Sequence, residues 1–137
     1  MVCVSSKGVY GLAAMLYLAQ NRDRLVQIKD IAKSGGIPQN YLEQLLVQLK
    51  KAGFIESIRG AKGGYQMSAD PKSLTVLQVL NALEGDLMNC DKYTTASRTL
   101  NQFWAESSDR IGQVFMLPLQ ELVDRSRKLD GAVMYHI

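Results

Sequence analysis

The sequence predicts a mainly α-helical fold: a helical domain carrying a two-stranded β wing, followed by a long C-terminal helix suited to dimerisation. Three observations predict it. Apolar residues recur at helical spacing in several separate stretches. A glycine pair, Gly35-Gly36, separates two short amphipathic segments. One alternating stretch, FIESI, runs into the turn RGAKGG and then the strand-like YQMS.

Each element follows in order. Residues 6–20 place Tyr10, Leu12, Ala13, Leu16, Tyr17 and Ala19 at helical spacing behind Ser5 and Ser6, whose hydroxyls can cap a helix start. Residues 27–34 form a short second helix with Ile28, Ile31 and Ala32 on one face, and the glycine pair gives the stop that a tight interhelical turn needs. Pro38, its φ preset, opens a third helix over 38–52, whose stripe Leu42, Leu45, Leu46 and Leu49 faces inward up to Gly53. The opposite face carries Gln39, Asn40, Glu43, Gln44, Lys50 and Lys51. Helix, glycine turn and helix with a polar outer face make a helix-turn-helix, whose second helix can enter a major groove. The hairpin after Gly53 is too small to stand alone and must lean on the helices, as the wing of a winged helix does.

Pro71 breaks the chain, and Thr75 with Gln78 forms a capping box for a fourth helix that carries Val76, Leu77, Val79, Leu80 and Leu83 and ends near Gly85. DLMNCDKYT has no period and reads as a loop holding Cys90. From Thr95, Leu100, Trp104, Ile111 and Val114, with Phe103 and Phe115 beside them, recur at three, four or seven residues in a long amphipathic helix that Pro118 ends. LQELVDRSRK starts a further turn or two, and DGAVMYHI carries no assignable element. The expected division is a winged helix-turn-helix DNA-binding domain over 1–85, then a sensor-type loop, the dimerisation helix and a C-terminal segment over 86–137. So short a chain has few other helices to cover Leu100, Phe103, Trp104, Ile111 and Val114, and self-association buries the remaining face.

At 137 residues the chain has one domain's length. With 47% hydrophobic and 21% charged residues, and no apolar run near the roughly 20 residues a bilayer requires, a membrane span and a disordered chain are both excluded. Ser5, Ser6, Lys7 and Gly8 interrupt the apolar start, so no secretory signal is read there and the cytoplasm is the expected location. Cys3 and Cys90, far apart, are expected to stay reduced, with Cys3 buried.

The net charge of +3 hides an asymmetry. Residues 1–67 hold nine Lys/Arg against four Asp/Glu, an excess of five bases, whereas residues 68–137 hold seven against nine. A basic half points to an anionic partner, nucleic acid before a membrane surface. Lys50, Lys51, Arg59 and Lys62 fall within thirteen residues around the glycine-rich turn. With Lys7 they suit phosphate neutralisation, the main source of affinity for duplex DNA. Gln39, Asn40, Tyr41, Glu43 and Gln44 offer base-reading edges at the start of the third helix: Asn or Gln for adenine, Glu for the cytosine amino group. At the wing tip Arg59 beside Gly60 can enter a narrow minor groove while the backbone approaches the sugar-phosphate wall. Paired carboxylates in a patterned site, a metal-ligand cluster and a nucleophile elbow are all missing from the sequence, and Gly63-Gly64 fits a hairpin rather than a phosphate loop, so an enzyme is not expected.

SSKGVYGLAAMLYLA, DIAKSGGIPQNYLEQLLVQLKKAGFIESIRGAKGGYQMS and TVLQVLNALEG together resemble the Rrf2 family of bacterial winged-helix transcription regulators. YLEQL, LKKAG and RGAKGGY are the specific part of that likeness. Phe103-Trp104 stands where the family has a Leu-Trp pair, and PLQEL where it has a TLxxL segment. The resemblance implies a homodimer built on crossed long helices. It also implies Tyr41, Glu43 and Gln44 at the major groove and Arg59 and Gly60 of the wing at the minor groove; Lys7 and Tyr10 complete the expected DNA-binding set. Pro38 replaces the serine common at the recognition-helix start.

Many members of that family hold an iron–sulfur cluster on three cysteines in the loop before the long helix. Here the loop has only Cys90, with Arg98 and Asn101 at the positions of the third cysteine and the histidine. No metal site is therefore expected, since clusters depend on several thiolates. Cys90 stands as a lone thiol, to be read as inert, as a thiol sensor or as a residual ligand completed by another chain; Asp86 and Asp91 oppose its ionisation and only Lys92 favours it. One cluster-free group of the family represses cysteine-metabolism genes in complex with a cysteine-biosynthesis enzyme, and the ending MYHI is faintly like that group's aromatic C-terminus. The expected function is thus a dimeric, sequence-specific DNA-binding regulator, a repressor controlled by a metabolite, thiol redox state or a metabolic-enzyme partner. The alternatives are a winged-helix protein-interaction module without DNA binding and a regulator that keeps a cluster through atypical ligands.

Overall fold

Residues 4–85 and 94–135 are described by the computed structural model of the chain, residues 132–135 as backbone only. Helix α1 (Ser6–Gln20) is the central element, packed against α2 (Ile28–Gly35), α3 (Gln39–Lys51), α4 (Val76–Glu84) and α6 (Leu119–Tyr135). Ser5 caps it, its hydroxyl accepting the Lys7 N–H at 3.2 Å. Its most deeply buried residues are Ala14, Met15 and Leu18, a different set from the periodic face read in the sequence. A helix covered on several sides is apolar nearly all round, so periodicity does not mark its innermost face. Gly11 lets α4 come close: a Cβ there would stand 2.0 Å from Leu83 Cδ1.

Helix α2 ends at Gly36, whose left-handed φ of 62° turns the chain while the Ile37 N–H closes on Ala32 O at 2.9 Å. Pro38 occupies the cap of α3 rather than its first turn. Leu42, Leu45, Leu46 and Leu49, each at most 1% exposed, form the inner face of α3 as the leucine stripe predicts. Strands β1 (Ile55–Ile58) and β2 (Gly64–Met67) pair antiparallel, Ile55 opposite Met67 and Ile58 opposite Gly64. The hairpin leans on the helices through Val26, just before α2, which exchanges two backbone hydrogen bonds of 2.9 and 2.8 Å with Tyr65. Helix α4 carries the expected capping box: Thr75 Oγ1 accepts from Gln78 N at 3.1 Å and Gln78 Oε1 from Thr75 N at 2.9 Å.

The C-terminal region differs from expectation. Helix α5 (Arg98–Val114) ends before Pro118, but α6 is as long as α5, 17 residues each, and runs through DGAVM to Tyr135. Leu119 and Val123, at most 1% exposed, enter the same core as Met15 and Leu18. The α5–α6 corner and the start of α4 cap one another. The Val76 and Leu77 N–H groups donate to Leu117 O and Phe115 O, both at 2.9 Å, and the Leu119 and Gln120 N–H groups donate to Leu74 O at 2.8 Å and Pro71 O at 2.9 Å. The segment leading into each helix thus supplies acceptors for first-turn donors that the other helix cannot satisfy internally. Among the described residues no helix is long and apolar enough to cross a membrane.

Candidate nucleic-acid interface

The outer face of α3 is set by the burial of its leucines: with those side chains in the core, Gln39, Asn40, Glu43, Gln44, Lys50 and Lys51 are all exposed. Tyr41 is half-buried. Its ring meets Tyr10 edge-on with centroids 5.8 Å apart, and its hydroxyl lies 3.2 Å from Ser6 Oγ. The start of α1 is therefore joined to the start of the helix that carries the base-reading candidates, and Tyr10 has a packing role there in addition to the one the sequence suggested.

Glu84, the last residue of α4, fixes the other side of that start. Its Oε1 accepts from Ser5 N at 2.8 Å, from the Ser5 hydroxyl and from Gly8 N at 3.0 Å. Partial burial raises its pKa, but the Ser5 and Gly8 hydrogen bonds and the Lys7 charge outweigh that and hold the carboxyl below its ordinary value. Lys7 itself is exposed in the first turn of α1. The sequence contained the capping serine but gave no sign that an acid 79 residues away completes the cap.

The wing turn spans residues 59–63. Ile58 pairs with Gly64, so Arg59, Gly60, Ala61 and Lys62 project at the tip, all exposed. Gly60 has φ 117° and Gly63 donates to its carbonyl at 3.0 Å. The position of Gly63 tolerates no side chain: a Cβ would lie 2.0 Å from Ile58 O. Gln27 at the cap of α2 donates through Nε2 to Gly63 O, tying the turn to the helix-turn-helix. Lys50 Nζ donates to Ser57 Oγ of β1 at 2.7 Å, joining the end of α3 to the wing. The side chains of Lys51, Arg59 and Lys62 form no hydrogen bond or ion pair among the described residues.

The apolar residues of α5 lie on the outside. Leu100, Phe103, Trp104, Ile111 and Val114 are 37–69% exposed, whereas the residue that α5 buries is Gly112. Asn101, at the family's histidine position, is engaged by Thr95: its Oδ1 accepts from Thr95 N at 2.8 Å and its Nδ2 donates to Thr95 O at 2.8 Å. Arg98 is the first residue of α5. Cys3, Cys90 and the loop residues Asp86, Asp91 and Lys92 lie outside the described residues. Among the described residues no three His, Cys, Asp or Glu side chains could hold a metal ion.

Comparison with known proteins agrees with this geometry. Residues 4–125 match the family profile described as Rrf2, iron-dependent transcriptional regulator. The chain is 32% identical over 138 residues to the HTH-type transcriptional regulator CymR of Bacillus subtilis (strain 168), covering 98% of this chain and 99% of the relative. It is 34% identical over 146 residues to the HTH-type transcriptional regulator IscR of Escherichia coli (strain K12 / DH10B), covering 97% of this chain and 87% of that one. The solved structure of CymR, the global cysteine regulator of B. subtilis, superposes with a TM-score of 0.80 at 31% identity, over 89% of this chain and 96% of the other.

Proposed function

The chain belongs to the Rrf2 family and is a DNA-binding transcription regulator, and from that premise we propose that it acts as a cytoplasmic homodimeric repressor without an iron–sulfur cluster. The observation that carries the DNA contacts is the pairing of one polar helix face with one cationic wing tip. Gln39, Asn40, Tyr41, Glu43 and Gln44 are offered to the base edges of a major groove, Arg59 and Gly60 to the adjacent minor groove, and Lys7, Lys50, Lys51 and Lys62 to phosphates. Two copies of this surface, related by a two-fold axis, read a two-fold symmetric site. The uncovered α5 face of Leu100, Phe103, Trp104, Ile111 and Val114 supplies the seam: four of these residues follow a 3.5-residue period that pairs helices.

The donor set does not fit a cluster. One cysteine, an asparagine whose amide is committed to Thr95 and an arginine cannot replace three thiolates. Control then falls to a metabolite, to the Cys90 thiol or to a metabolic enzyme as partner. The similarity to CymR, a cysteine regulator, along nearly all of both chains supports a signal from sulfur metabolism. Purification without oxygen tests this reading, with a visible spectrum, an iron and acid-labile sulfide assay and a binding titration on one preparation. A colourless, iron-free protein that binds a selected duplex is expected; a brown protein holding iron and sulfide overturns the cluster-free assignment.

A further inference from the structure

Four of the five aliphatic side chains of α3 are leucines at most 1% exposed; the fifth, Val47, is 53% exposed. A β-branched residue at an open helical position is a poorer helix former than alanine, glutamine or lysine, and it buries little in return. Its position on the helix is what gives it meaning. Val47 lies three and four residues after Gln44 and Glu43, and three and four before Lys50 and Lys51, so it shares their face and sits between the base-reading and phosphate-binding groups. Asn40, a full heptad earlier, falls on the same line. The major-groove edge of DNA presents one apolar group, the C5-methyl of thymine.

We propose that Val47 is a specificity-determining residue that packs on the methyl group of a thymine within each half-site. The inference rests on the DNA-binding reading above and deepens it. Four residues of helix advance about 6 Å, and successive bases on one strand advance about 3.4 Å. The thymine therefore lies one to two base pairs from the base that Glu43 contacts, toward the flank that Lys50 and Lys51 grip.

The test uses the full chain and a duplex enriched from a random pool by the wild-type protein. Each thymine is replaced in turn by uracil, which removes the methyl and keeps every hydrogen-bonding edge. Wild type is expected to lose about fourfold in affinity at one thymine per half-site, the size expected for one methyl leaving an apolar contact, and to show no change of that kind at thymines outside the contacted steps. Val47→Ser has a helix propensity close to that of valine and leaves the core untouched, so its fold is retained. It should bind the thymine and uracil duplexes equally. Wild type indifferent to every replacement, or Val47→Ser keeping the full preference, overturns the inference alone. Failure of the wild-type chain to enrich any duplex overturns the DNA-binding reading and the inference with it.

Discussion

Gly63→Ala separates the wing's role from the stability of the fold. The added Cβ would stand 2.0 Å from Ile58 O and 2.9 Å from the carbonyl carbons of Ile58 and Arg59, all backbone atoms that cannot rotate aside. Ordinary carbon contacts need about 3.5–4.0 Å, so the turn must open by more than an ångström. Opening it breaks the 3.0 Å bond from Gly63 N to Gly60 O and loosens the Gln27 tie. A forced fit of this kind costs about 1–3 kcal/mol. The helical core, to which Gln27 ties Gly63, should survive with a melting temperature lowered by several degrees. If the wing delivers Arg59 to the minor groove, Gly63→Ala should lose about as much affinity as Arg59→Ala, roughly 1–3 kcal/mol, or about five- to 150-fold. The double variant should be little worse than either single one, because both remove the same contact. Fluorescence anisotropy with a labelled selected duplex at fixed salt reads the affinities, and circular dichroism reads the melting. A Gly63→Ala protein that melts earlier yet binds within twofold of wild type would refute the wing contact.

Trp104→Glu places a charge on the α5 face and should convert a dimer into a monomer at micromolar concentration, read by light scattering; an unchanged dimer would move the seam elsewhere. Leu119→Ala empties a fully buried site where α6 meets the core and should cost about 2–5 kcal/mol in urea unfolding. Gly131 lies in α6 with open space around its Cα, so Gly131→Ala should raise stability by about 0.5–1 kcal/mol through helix propensity alone. Glu84 has its folded pKa below the ordinary 4.5. The stability it contributes is therefore present above that ordinary value and lost as pH falls through the folded one. Melting of wild type between pH 5 and 3 should fall more steeply than that of Glu84→Gln, and parallel curves would exclude the Glu84 cap.

The helix-turn-helix and wing were legible because their signals are local. A leucine stripe, a glycine turn, a capping box and an alternating pair of strands each declare themselves within a few residues, and the structure places all four where they were read. What was not legible depends on partners distant in sequence. The Glu84 to Ser5 cap, the Val26 to Tyr65 bridge and the reciprocal capping of α4 and α6 join residues 38 to 79 apart, and no spacing rule signals them. The full length of α6 is not legible for another reason: from Asp124 to Gly131 its residues are mostly polar and exposed, which leaves no apolar stripe there, and Gly131 reads as a breaker. In the interface, Val47 passed unnoticed because an isolated valine among leucines looks like core until its exposure is known.

The central claim is that two copies of this chain grip one duplex through α3 and the wing. The measurement that tests it most directly is the salt dependence of binding to a selected two-fold symmetric duplex, with the stoichiometry fixed in the same cell by sedimentation. The account predicts two chains per duplex and an affinity that falls steeply and linearly on logarithmic axes as salt rises, less steeply once Lys51 and Lys62 are replaced by alanine. One chain per duplex, or an affinity indifferent to salt and to both lysines, would contradict it.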